Sequence, residues 1–139
     1  MTLDEVKKRI QTCATQMQQA FGRPVFDEWI LTSFKTGDSR LLAYVGPRQD
    51  AVATSFADDF RNVRESFMQE RQEPGGFGFS MDGYGTRFDG FLVLGPDLYL
   101  FVNHTEKAIK DYQDDPAWRA TQGPFLELSE TVREDPVVL

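Results

Sequence analysis

Apolar residues recur at Leu3, Val6, Ile10, Cys13, Met17 and Phe21, in steps of three and four. That spacing lays one stripe along a helix. Thr2 and Glu5 have the three-residue separation of a capping box, and Gly22 followed by Pro24 ends the segment. From Val25 to Phe34 the period changes, and Val, Phe, Trp and Ile suit a pleated strand. The polar run 35-KTGDS-39 is a turn, and Leu41 to Val45 is the returning strand of a hairpin. A second helix is predicted from about Arg48, with Val52, Phe56, Phe60, Val63 and Phe67 as its stripe. Pro74-Gly75-Gly76 closes it.

The stretch 76-GFGFSMDGYGTRFDGFLVLGPDLYLFVNHT-105 is rich in glycine and aromatic residues. Phe77 to Met81 alternates large with small as a half-buried strand does. Asp82-Gly83-Tyr84-Gly85 is a turn, Arg87 to Leu94 a strand, Gly95-Pro96-Asp97 a turn, and Leu98 to Val102 a strand. A phosphate-binding loop runs from strand directly into helix, so that the helix N-terminus meets the anion. These glycines lead into more strand, which sets the phosphate reading aside. Thr105 caps a short helix over Glu106 to Tyr112. Asp115-Pro116 opens another helix, which Gly123-Pro124 breaks or kinks; Phe125, Leu128 and Val132 carry a last apolar face, and Glu134 to Leu139 frays.

The expected fold is therefore α+β, in the order α-β-β-α-β-β-β-α. A mostly antiparallel sheet of about five strands carries flanking helices. All 139 residues form one domain, with 105–133 a broken C-terminal helical segment. A hydrophobic content of 40% against 27% charged residues is that of a globular chain. Fifteen basic residues against 22 acidic ones give a net charge of -7, which disfavours nucleic acid and anionic membranes as partners. One cysteine, no apolar signal core and no membrane-length run predict a soluble, cytoplasmic protein.

Little in the chain points to chemistry. His104 is the single histidine, so a zinc site lacks ligands, and a strand-end hydrogen bond accounts for it. Cys13 sits on the apolar stripe of the first helix and reads as a small hydrophobe. Asp82, Asp89 and Asp97 fall at turns and strand ends, where aspartate is favoured, and match no calcium loop. Trp29, Trp118, Tyr84 and Tyr99 suit either core positions or interface anchors. No catalytic, metal or cofactor residues are predicted.

The segment 30-ILTSFKTGDSRLLA-43, with its Asp/Gly turn and "L-x-A" strand, resembles the first hairpin of the roadblock / dynein light chain family. That family belongs to the wider profilin-like and longin-like group. Phe91 to Val102 resembles its last hairpin, and the likeness of layout runs from about residue 3 to 133. The longer, broken tail and the Gly/Tyr-rich turn at Asp82 to Thr86 depart from the family pattern. The resemblance implies a non-enzymatic protein that regulates or scaffolds small Ras-like GTPases. It implies a homodimer in which second helices and third strands lie side by side. On this chain the interface would comprise Asp58, Asp59, Arg61, Arg64, Phe77, Phe79 and Met81. For the four charged residues a solvated helix face is an equal account. Two other readings compete. An acidic type III secretion-type chaperone would bind an extended partner segment, but it places three strands before the second helix where two are counted here. A profilin-like pocket, as enzyme or small-ligand binder, would use His104.

Overall fold

The computed structural model describes residues 1–22, 24–34, 40–50, 73–79, 89–103 and 116–139. Helix α1 (Leu3–Phe21) starts where the Thr2 hydroxyl accepts the Glu5 N–H at 3.2 Å, with Asp4 and Glu5 at the positive end of the helix dipole. It stops at Gly22, whose φ of 85° is left-handed and whose N–H closes on the Gln18 carbonyl at 2.8 Å. The predicted stripe is the packed face: Val6, Cys13 and Met17 are buried, and Leu3, Ile10 and Phe21 are half-buried against the same core.

Five strands follow: β1 (Glu28–Ser33), β2 (Arg40–Val45), β3 (Phe77–Phe79), β4 (Gly90–Gly95) and β5 (Leu98–Asn103). They form one sheet in the order β2-β1-β5-β4-β3, and each pairing is antiparallel. The fold is thus α+β, as expected. β1 begins at Glu28 and not at Val25. The Trp29 indole donates to the Phe26 carbonyl at 3.0 Å, so the chain folds back just before the strand. Asp97, at the β4–β5 turn, has a φ of 61°, and its carbonyl takes the Phe34 N–H at 2.8 Å. Aspartate tolerates that left-handed conformation.

β1 and β5 are buried at every position, so both faces of the sheet are covered there. Alternation along the strands divides the core in two. On the first face Trp29, Leu31, Leu92, Leu94, Leu98, Leu100 and Val102 meet α1 and a helix near the C-terminus. On the second face Ile30, Phe34, Val93, Tyr99 and Phe101 cluster, with Phe34 and Tyr99 ring centroids 5.0 Å apart.

That helix, α2 (Pro116–Glu134), corrects the expected break at Gly123-Pro124. The helix runs through both residues. Proline removes one helical donor, and the burial of Phe125, Leu128 and Val132 against α1 and the sheet offsets it. Residues 116–134 are therefore a single helix; the short helix expected over 106–112 lies outside the described residues. The end of the chain does not fray. Val137 is buried, its N–H donates to the Leu94 carbonyl at 2.9 Å, and the Val138 N–H reaches the Met1 carbonyl. Among the described residues no helix is long and apolar enough to cross a membrane. The helix predicted from Arg48 onward falls mostly on residues 51–72, outside the described residues.

Candidate functional site

Of the residues expected at an interface, Phe77 and Phe79 lie on β3, the last strand at one edge of the described sheet. β3 pairs with β4 through Phe77 with Leu92, Gly78 with Phe91 and Phe79 with Gly90. The Phe91 ring lies over Gly78, where an added Cβ would come within 2.8 Å of it, so the large–small alternation makes room for a neighbour. The Phe77 side chain remains 39% exposed and stands edge-on to Phe125 of α2, with centroids 5.8 Å apart. Asp58, Asp59, Arg61, Arg64 and Met81 lie outside the described residues, as do His104, Asp82 and Tyr84.

The turn entering β3 is tied to α2. Gly75 has a φ of 89°, and the Ser129 hydroxyl donates to its carbonyl. The Gly75 N–H meets the Val93 carbonyl and the Val93 N–H the Gly76 carbonyl, each at 2.8 Å, which continues the β3–β4 ladder past the strand end.

At the far end of the sheet lies a polar cluster that the sequence did not announce. Glu28 has no exposed surface. Its carboxylate accepts the Tyr44 hydroxyl at 2.5 Å, Arg48 Nε at 2.9 Å, Arg48 Nη2 at 2.5 Å and Asn103 Nδ2 at 2.9 Å. The Tyr44 oxygen accepts the Arg48 N–H at 2.9 Å, and Asn103 Oδ1 accepts the Asp89 N–H at 3.0 Å. Burial pushes the Glu28 carboxyl upward, but the bonds from Arg48, Tyr44 and Asn103 and the charge of Arg48 outweigh it and hold it below the ordinary glutamate value. Burial and the bond to Glu28 push the Tyr44 phenol up to about 12. A carboxylate engaged by four donors and closed to solvent is held ionised, and it has no route to a substrate proton. The cluster is a clamp between β1, β2, β5 and the segment after β2.

Two features of the sequence could have signalled it. Glu28 opens a strand otherwise made of Trp, Ile, Leu and Thr, and Tyr44 and Arg48 stand four residues apart. Their meeting with Asn103 depends on β1 lying between β2 and β5, which no local pattern reveals. The other candidates are placed plainly. Cys13 is buried, and burial chiefly, with Glu127 nearby, pushes its thiol up to about 12. Trp29 and Tyr99 are core residues, one on each face. Asp89 is buried at the start of β4, and Asp97 forms the turn. Among the described residues no three His, Cys, Asp or Glu side chains gather as a metal would require.

Fold and site together define an α+β protein with a five-stranded antiparallel sheet, two described helices on its first face and an aromatic edge strand. Comparison with protein-family models, with curated proteins and with solved structures finds no match.

Proposed function

We propose that the protein is a non-enzymatic homodimer of roadblock type that regulates or scaffolds a small Ras-like GTPase. The observation that carries this reading is the place of β3 at the sheet edge, with Phe77 39% exposed beside it. A roadblock-like dimer needs its third strand there, so that two sheets join across a two-fold axis. Two described strands precede residues 51–72, the count that favours this reading over the chaperone-like one. The interface would combine β3 with Asp58, Asp59, Arg61, Arg64 and Met81.

Light scattering across a dilution series tests the dimer. Wild type should hold twice the chain mass of 15.9 kDa. A Phe77→Lys/Asp59→Arg double variant should give monomers with unchanged circular dichroism. A wild type that is monomeric throughout would remove the reading. The partner is tested by interferometry against a panel of Ras-like GTPases loaded with GDP or a GTP analogue. A state-dependent signal supports the regulatory role.

A further inference from the structure

The opposite edge of the sheet has features of its own. β2 stands last in the strand order, beyond β1, and its residues are half-exposed or exposed where β1 is wholly buried. Val45, at its end, is 69% exposed. An edge strand turns alternate N–H and C=O groups outward, and proteins usually guard such an edge with a proline or an inward charge. β2 contains no proline; its guards are the exposed Arg40 at its start and a register slip against β1 that passes over Leu42, and Ala43 to Val45 beyond them carry no charge.

Beside this edge, on the first face, a cleft of about 330 Å³ runs between α1 and β2. Its floor is Trp29, Leu31 and Leu100, and its walls include Ile10 and Ala14 on the helix and Ala43 and Val45 on the strand. Lys7, Ile10, Gln11 and Ala14 share one helical face by their spacing of three, four and seven. Small side chains at Ala14 and Ala43 leave the cleft open.

We propose that the β2 edge and this cleft bind an extended, acidic segment of a partner protein as an added strand. A sheet edge favours an extended main chain as its occupant, because such a chain pairs a whole row of outward N–H and C=O groups in register. A strand added there carries alternate side chains to the first face, where the apolar cleft receives them. Charge sets the remaining chemistry. Lys7 lines the cleft, Arg40 opens β2, and no carboxylate lies in either. The first fifty residues hold seven basic and six acidic residues, the rest eight and sixteen, so this surface belongs to the part of the chain that is not acidic. A second copy of β2 would bring another arginine and leave Lys7 unmatched. This surface lies across the sheet from β3 and is independent of the dimer proposed above.

The test uses the full chain, ¹⁵N-labelled, and a blocked heptapeptide of alternating glutamate and valine. Binding should shift the amides of Leu42, Ala43 and Tyr44 and saturate. The lysine–valine counterpart should bind about tenfold more weakly. N-methylation of alternate peptide amides should abolish binding. Ala14→Phe, which fills the cleft, should weaken it about tenfold with the remaining spectrum unchanged. Lys7→Glu should invert the preference between the two peptides, a result that loss of fold does not produce. No shift at millimolar peptide overturns the proposal. So does binding that ignores N-methylation or Lys7→Glu, since that is adhesion to an apolar surface. Shifts confined to β3 also overturn it.

Discussion

Arg48 is half-exposed and Glu28 is not exposed at all, yet losing the arginine should damage the protein more. Consider Glu28→Gln first. The glutamine keeps the size and one acceptor, and the guanidinium, already 53% exposed, turns toward water. The cost is that of a few charge-assisted bonds exchanged for weaker ones, about 1–3 kcal/mol. Arg48→Met is different. It leaves a carboxylate at 0% exposure with only Tyr44 and Asn103 as donors. An ion stranded in that way costs about 3–5 kcal/mol. The double variant should fall below Arg48→Met alone in cost, because no stranded charge remains. Urea unfolding of the four proteins gives the cycle, provided the slopes agree. The pH dependence adds a sign. In wild type the folded Glu28 pKa is depressed, so its contribution is full above the unfolded value, near 4.3, and fades as pH falls. Without Arg48, burial raises the folded value above the unfolded one, and that contribution is lost as pH rises. The gap between Arg48→Met and wild type should therefore widen from pH 4 to pH 7. A gap independent of pH, or an Arg48→Met no less stable than Glu28→Gln, would refute the argument.

Two further substitutions follow from the backbone. Gly123 lies inside α2 with open space where a Cβ would stand, so Gly123→Ala should raise stability by about 0.5–1 kcal/mol and the melting temperature with it. An unchanged or lowered melting temperature would count against a continuous helix at that point. Gly95→Ala should cost about 1–3 kcal/mol in a urea titration, because its Cβ would run into the carbonyl of Val137. A neutral result would mean that the Val137 segment is not held against β4 as described.

What could be read from the sequence was local. The α1 stripe, the Gly22 stop, the return strand ending at Val45 and the turn at Asp97 each rest on neighbours within a few residues and match the structure, whereas the first strand begins at Glu28 and not at Val25. The tail was misread for the complementary reason. Gly123-Pro124 is a local break signal, and the packing of Phe125, Leu128 and Val132 overrides it from elsewhere in the chain. The Glu28 clamp joins residues 16, 20 and 75 positions apart, beyond any local pattern. The edge place of Phe77 followed from the family resemblance and not from any local pattern; the β2 cleft was not legible, because it depends on two alanines meeting across a helix and a strand.

β1 is buried on both sides, with Trp29 and Leu31 on one and Ile30 and Thr32 on the other. Burial alone separates the two sides of such a strand weakly, since a slide by one position would exchange Trp29 and Leu31 for Ile30 and Thr32, all of them buried. Glu28 removes that ambiguity. Displaced by one residue, its carboxylate would turn toward the apolar first face and lose Tyr44, Arg48 and Asn103 together. This buried charge thus serves as an address for the strand, fixing where it stops between its neighbours while the hydrophobic residues supply the reason to be there.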